Sequence, residues 1–359
     1  MELKTEYMRA EEKVIFALRE LYTKYGYAQF KMSKFEEYDL YVRNKDFLVS
    51  DSVITFNDTN GKLMALKPDV TLSIIKNSTD NGNSVQKLYY NENVYRVPKN
   101  TNSFKEIMQT GLECIGEVGI YNVCEVLTLA AKSLGAISPD FVLDVSHMGL
   151  ISSVLSEVDA DAKKLILKYI SEKNTHDLCA VCRDKGINSD ILCALIKVNG
   201  SPDEIKNQLS AIHFDDSSKE SLDEIFTIAD ILKTLDENKN IHFDFSIVND
   251  MNYYSGIVFK GYIKGIPTAI LSGGRYDLLM QKMNKKSKAI GFAVYLDFLE
   301  RFMDDREDFD ADILLLYDEK DELSNVLKTV SALTSQGNRV LAETSVPDGL
   351  KYKTLLRFE

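Results

Sequence analysis

No stretch of the 359-residue chain strings apolar residues together to membrane-spanning length, so a membrane-embedded protein is not expected. No secretory leader is expected either. The first residues, MELKTEYMRAEEK, are charged and hold no apolar run, which leads us to expect a cytoplasmic location. Basic residues are in deficit, 43 Lys and Arg against 55 Asp and Glu, for a net charge of −12. A surface of that sign repels a phosphate backbone, and nothing beyond short pairs such as Lys285-Lys286 supplies a local basic patch. No nucleic-acid partner is therefore expected. Cysteine is sparse and odd in number, five in all, which argues against a disulfide framework in a cytoplasmic chain. Cys179-Ala-Val-Cys182 has metal-ligand or redox spacing, but no second pair and no His-x-x-His accompanies it, and structural thiols are the simpler reading. The four histidines, His147, His176, His213 and His242, are scattered, so no zinc site and no other metal is expected. Internal repeats and low-complexity tracts are absent.

What is present is the composition of a globular protein, 45% hydrophobic and 27% charged, in a chain long enough for two or three domains. Residues 7–25 predict an amphipathic helix with Val14, Leu18 and Leu21 on one face and Gly26 as its stop. Two β-rich runs, residues 53–56 and 62–66, flank Asn57-Asp58-Thr59-Asn60-Gly61, a hairpin signal. A strand at residues 86–90 and a polar loop at residues 98–105 precede a run in which Gln109, Gly111 and Glu113 alternate with apolar residues. As a strand, that run carries an amide and a carboxylate on one face. Polar groups pointing inward from a sheet are costly unless they meet a ligand or each other, which favours a binding cleft over a purely structural network. A helix from Asn122 is predicted to end at Gly135, and a strand at residues 141–145 leads into Ser146-His147-Met148-Gly149. From residue 150 to about 235 glycine and aromatics thin out and helical patterns recur, an all-helical insertion. Residues 298–303 predict a helix, residues 304–310 a charged link, and the tail a small α/β unit with strands at 313–317 and 339–341 around a helix at 323–333.

The most informative stretch is residues 245–279. It joins a paired-tyrosine turn, Tyr253-Tyr254-Ser255-Gly256, to Ser272-Gly273-Gly274-Arg275-Tyr276-Asp277 across two strand-like runs, residues 257–259 and 268–271. By pattern it is a hairpin with a glycine-rich turn. Glycines beside Arg, Tyr and Asp also let backbone approach a small molecule that rings and charges face.

In this order the motifs resemble the class II aminoacyl-tRNA synthetase core of histidyl-tRNA synthetase. The similarity is carried by Leu66-Lys67-Pro68-Asp69-Val70-Thr71, Tyr95-Arg96, Gln109-x-Gly-x-Glu113, Tyr253-Tyr254-x-Gly256-x-Val258-Phe259 and Gly273-Gly274-Arg275-Tyr276-Asp277. It implies an α+β fold, an antiparallel sheet flanked by helices, with a helical insertion and a small C-terminal α/β domain. The division it suggests is core at 1–149 and 239–303, insertion at 150–238, and linker with tail domain at 304–359. The departures bear on function. The family's histidine motif reads R-G-L-D-Y-Y-T-G, and here its leading Arg is Asn249. The Arg that ends the third class II motif and grips ATP is Asp297. The second motif keeps Arg96, a vestige of the nucleotide site, but continues as Val97-Pro98, and Ser33 stands at the first motif's proline. Positioned cations supply much of the stabilisation of a pentavalent phosphorus, and two guanidinium groups are missing.

The chain therefore resembles the catalytically inactive branch of that family, the regulatory subunits of ATP phosphoribosyltransferase. Asp144-Val145-Ser146-His147-Met148-Gly149-Leu150 carries the closer match. That resemblance implies no catalytic residues and no cofactor. It implies a short-form catalytic subunit as partner in the first step of histidine biosynthesis, a homodimer within a hetero-oligomer, and histidine as effector. Carried over position by position, Asp69, Thr71 and Gln109 would hold an α-amino group. Glu113 and Tyr254 would face an imidazole, whose two N–H groups both need acceptors. Tyr276 would close the site and Arg275 brace it, beside Tyr253, Gly273 and Gly274. A divergent histidyl-tRNA synthetase and a stand-alone histidine-sensing module are the alternatives.

Overall fold

The computed structural model describes residues 8–45, 48, 53–80, 84–97, 103–251, 253–299 and 309–358. The chain separates into two compact units, Met1–Met303 and Asp304–Glu359. In chain order the first unit runs α1 (Ala10–Lys24), β1 (Ala28–Gln29), β2 (Phe35–Glu37), α2 (Tyr38–Arg43), β3 (Thr55–Asn57), β4 (Leu63–Leu66) and α3 (Thr71–Asn77). It continues with β5 (Gln86–Arg96), β6 (Lys105–Gly116), α4 (Ile120–Ile137) and β7 (Phe141–His147). There follow α5 (Met148–Val154), α6 (Ala160–Ser171), α7 (Thr175–Asp184), α8 (Asp190–Leu195), β8 (Asn199–Gly200), α9 (Pro202–Ser210) and α10 (Lys219–Leu232). The unit closes with β9 (Ile241–Asp244), β10 (Ile257–Ile263), β11 (Leu271–Arg275), α11 (Asp277–Lys282) and β12 (Lys288–Tyr295).

A nine-stranded sheet in the order β1-β5-β6-β12-β11-β10-β7-β9-β8 organises this unit. Its centre, β5 through β7, is antiparallel in every pairing, whereas β1 on β5 and β7 on β9 are parallel. The sheet is thus mixed at its margins, a refinement of the antiparallel expectation. Helix α1 buries Val14, Leu18 and Tyr22, with Glu11 and Glu12 in its first turn and Lys24 in its last, charges that suit the helix dipole. The third core residue is Tyr22 rather than Leu21, which is only partly buried, and the Tyr22 hydroxyl meets Ser133 Oγ at 3.0 Å.

Helix α4 packs against α1, α10, β7 and β10. It runs on through Gly135 to Ile137, so glycine does not stop it there. Alone among the described helices it has the length and apolar composition to cross a membrane, the exception to the expectation above, and most of it is buried inside the protein.

The Asn-Gly hairpin forms as β3 and β4, with Gly61 at φ +79° and the Asp58 carboxylate accepting the Asn60 and Lys62 amides, each at 2.8 Å. It joins β2 in a separate three-stranded sheet, and β4 hands the chain directly to Asp69 and α3. The glycine-rich run 271–275 is not a turn. It is β11, a central strand paired with β10 and β12, and two of its positions are glycine because no side chain fits there: a Cβ on Gly273 would lie 2.4 Å from the Gly291 carbonyl, and one on Gly274 2.7 Å from the Tyr254 ring. The predicted strand over residues 268–271 accordingly starts only at Leu271. The insertion is helical apart from β8, which pairs antiparallel with β9 at the sheet margin. After β12 the chain makes a short 3-10 turn, Leu296–Phe298; most of the predicted helix at 298–303 and of the charged link lies outside the described residues.

The second unit is a three-stranded parallel sheet, β14-β13-β15, built from β13 (Ala311–Leu316), β14 (Val340–Glu343) and β15 (Tyr352–Arg357), with helix α12 (Leu323–Ser335). Strand β15 was not foreseen. Its Tyr-Lys-Thr-Leu-Leu-Arg is mostly exposed and has no alternation to betray it.

Candidate functional site

Strand alternation puts Gln109, Gly111 and Glu113 on one face of β6, and that face is the floor of a cavity of about 300 Å³. The loop between β4 and α3 brings Asp69 to its rim and the first turn of α3 brings Thr71, the loop before β10 brings Asn249, Asp250, Tyr253 and Tyr254, and the β11–α11 junction brings Tyr276. Glu113 is 2% exposed and both its oxygens are engaged. The Thr71 hydroxyl donates to Oε1 at 2.9 Å and the Tyr276 hydroxyl to Oε2 at 2.6 Å. Burial pushes the Glu113 carboxyl up to about 8, the two hydroxyls offsetting part of the rise and the nearby Asp69 charge adding to it. Burial also raises Asp69, against the pull of the Leu72 amide, which donates to it at 3.0 Å, and of Arg96.

Aromatic rings wall the space. The Tyr253 and Tyr254 centroids stand 4.5 Å apart, and Tyr253 and Tyr276 6.0 Å apart. Arg96 is the one cationic side chain among the described lining residues, and its Nε donates to the Pro68 carbonyl at 3.0 Å. Two amide donors, Gln109 Nε2 and Asn249 Nδ2, are buried with no hydrogen-bond partner. A small, aromatic-walled cavity with three carboxyls, Asp69, Glu113 and Asp250, and two unused N–H donors suits a compact ligand that combines a protonatable planar ring or amine with an acceptor group.

Of the ten residues singled out for the pocket, Asp69, Thr71, Gln109, Glu113, Tyr253, Tyr254, Gly273 and Tyr276 line the cavity, as does Arg96. Gly274 and Arg275 do not. Gly274 lies under the Tyr254 ring, and Arg275 faces away, its Nε on Asp277 at 2.8 Å and its NH1 on Glu224 of α10 at 3.2 Å. Glu224 also accepts from His147 Nε2 at 3.3 Å, and the Leu150 amide donating to His147 Nδ1 at 3.1 Å fixes that tautomer. Burial would raise the Glu224 carboxyl, but His147 and Arg275 outweigh it and hold it below its ordinary value. Arg275 therefore ties β11 to the insertion behind the cavity.

Asn249 lines the cavity, while Asp297 does not: it lies just past β12 with one carboxylate oxygen buried and unpartnered, and burial raises its carboxyl. Asn252 and Pro98 fall outside the described residues. Tyr90, Asp250, Gly291, Phe292 and Tyr295 are lining residues that sequence reasoning missed. Gly291 carried a signal, a glycine inside a strand-like run. It stands opposite Glu113 in register, and a Cβ there would lie 1.7 Å from Glu113 Oε2. Tyr295 sits opposite Gln109 in the same pairing, which only the register reveals. Among the described residues no group of three or more His, Cys, Asp or Glu side chains is placed to hold a metal ion.

A family model described as histidyl-tRNA synthetase matches residues 1–299. Among curated proteins, the chain is 28% identical over 348 residues to the ATP phosphoribosyltransferase regulatory subunit of a Thermoanaerobacter species, covering 93% of this chain and 90% of that one. It is 30% identical over 291 residues to the protein of the same name from Caldanaerobacter subterraneus, covering 78% and 75%. Among solved structures, an ATP phosphoribosyltransferase regulatory subunit/histidyl-tRNA synthetase from Bacillus halodurans superposes with a TM-score of 0.78 at 21% identity, over 99% of this chain and 96% of that one. A chain from the ATP phosphoribosyltransferase complex of Thermotoga maritima superposes with a TM-score of 0.63 at 19% identity, over 82% and 98%. At these identities the structural matches speak for the fold.

Proposed function

Because the chain belongs to the histidyl-tRNA synthetase family and, within it, to the ATP phosphoribosyltransferase regulatory subunits, we propose that it is the non-catalytic subunit a short-form catalytic subunit needs for activity, and that its cavity senses histidine. One observation carries the reading: a cavity is built around Glu113 from the motif residues, while Asn249 and Asp297 stand where the family motifs have Arg. In this reading Asp69, Thr71 and Gln109 hold the α-amino group. Glu113 and Tyr254 face the imidazole, and Tyr253, Gly273 and Tyr276 shape the walls. Gly274 and Arg275 act from outside the cavity, Gly274 by admitting the Tyr254 ring and Arg275 by holding β11. Arg96 is the remnant of the nucleotide subsite. The division into a core at 1–149 and 239–303, an insertion at 150–238 and a tail at 304–359 belongs to the same proposal, as do a homodimer inside a hetero-oligomer and a cytoplasmic location.

The test is co-expression with a short-form catalytic subunit. The two chains are expected to co-purify and the catalytic rate to rise well above that of the catalytic chain alone. Histidine should inhibit the complex, and Glu113→Ala should weaken that inhibition about 30-fold or more, the scale of losing one partner of a buried charged contact. A catalytic chain fully active and histidine-sensitive by itself would sink the subunit role. Histidine inhibition unchanged by Glu113→Ala would instead remove the sensing role from this cavity.

A further inference from the structure

Cys179-Ala-Val-Cys182 has the spacing of a redox pair, yet the fold buries one of these thiols and leaves the other partly exposed. Cys182 is fully buried in the core, while Cys179 is half-exposed on α7 and turns toward α8. There its Sγ lies 3.2 Å from Cys193 Sγ, fourteen residues further on and also half-exposed. We propose that Cys179 and Cys193 form a peroxide-modifiable thiol pair, a site that closes to an intrachain disulfide between α7 and α8 and reopens with a dithiol reductant. This is independent of the histidine reading and of the partner.

The geometry already brings the sulfurs to within roughly 1 Å of bonding distance, because a disulfide spans about 2.05 Å. The two thiols are also differentiated. Hydrogen bonds from Cys193 and Ser189 hold the Cys179 thiol below its ordinary range, so Cys179 is the more nucleophilic member. Burial pushes the Cys193 thiol up, as suits the thiol that waits to resolve. Cys179 is itself partly exposed to solvent, and an open groove lined by Cys193, Asp190, Lys197 and Gln208 reaches the resolving thiol. The other cysteines lack this access. Cys114, Cys124 and Cys182 are buried, and burial raises each of their thiols, Cys114 to about 12 and Cys124 to about 11.

The chemistry balances with hydrogen peroxide as oxidant. The Cys179 thiolate attacks one peroxide oxygen and the O–O bond breaks. Hydroxide leaves and takes a proton to become water, and Cys179 becomes a sulfenic acid, oxidised by two electrons. Cys193 then gives up its proton and attacks Cys179 Sγ. The S–OH bond breaks, a second water leaves, and the disulfide forms. Two thiols and one peroxide become one disulfide and two waters.

The experiment uses the full-length protein with hydrogen peroxide in small excess, followed by intact-mass measurement and peptide mapping. We expect the loss of two hydrogens, a cross-linked peptide pair containing Cys179 and Cys193, and full reversal by dithiothreitol. Cys193→Ser should stop at the sulfenic acid, trapped on Cys179 by dimedone, and Cys179→Ser should leave Cys193 unmodified. Cys182→Ser should still form the cross-link, which also controls for general unfolding. A Cys179–Cys182 cross-link, a disulfide between two chains, or unchanged thiol content after treatment would each overturn the proposal.

Discussion

Glu113 sets the chemistry of the cavity because it is a buried carboxyl held by two hydroxyl donors and facing a second carboxyl. Its folded value, about 8, stands above its ordinary one of 4.5. Folding therefore favours its protonated form, and the associated stability is fully present below the ordinary value and is lost as pH rises through 8. Glu113→Gln removes that dependence while keeping the volume. In thermal melts between pH 5 and pH 8 the variant should gain on the wild type as pH rises, on the order of several degrees across the window. A difference independent of pH would mean that Glu113 does not carry this proton. The polarity of this position was legible in the sequence, since Gln109 and Glu113 alternate with apolar residues. The raised proton affinity was not, because it arises from burial by segments far apart in the chain, and the two hydroxyls that offset part of it come from 42 and 163 positions away.

At the scale of elements, the cavity exists because adjacent strands give up their side chains beneath it. Gly291 on β12 leaves room for the Glu113 carboxylate, Gly111 on β6 for the Tyr90 hydroxyl, and Gly274 on β11 for the Tyr254 ring. Gly291→Ala should force Glu113 off its two donors and cost about 1–3 kcal/mol by overpacking. Gly135→Ala offers the opposite sign: it is inside α4, its Cβ would meet the Phe141 ring at an ordinary 3.4 Å, and helix propensity predicts a gain of up to about 1 kcal/mol. Urea denaturation of both variants checks the pair, and equal shifts would refute the packing account. Sequence reasoning picked out Gly111 and Gly274, passed over Gly291, and read Gly135 as a helix stop. Strand register decides which strand glycines serve a close approach, and register depends on the whole sheet.

At the scale of the whole molecule, a net charge of −12 and two missing guanidinium positions point the same way. The pure protein should show no histidine-dependent pyrophosphate–ATP exchange, since each absent group is worth on the order of 10²–10³ in rate. It should also fail to retain tRNA at physiological salt, where a negative field opposes phosphate. Exchange or a tRNA shift in either assay would restore the synthetase reading.

The sequence by itself determined the family, the order of motifs along the chain, and eight of the ten motif residues picked out for the cavity. Those are local patterns, and local patterns survive in one dimension. Tertiary structure alone decided that Arg275 turns from the pocket to Glu224, that Gly291 makes space for Glu113, and that Cys179 pairs with Cys193 and not with its motif partner. Each of these depends on which face of an element meets which neighbour. Packing between segments far apart in the chain sets those faces, and sequence spacing does not.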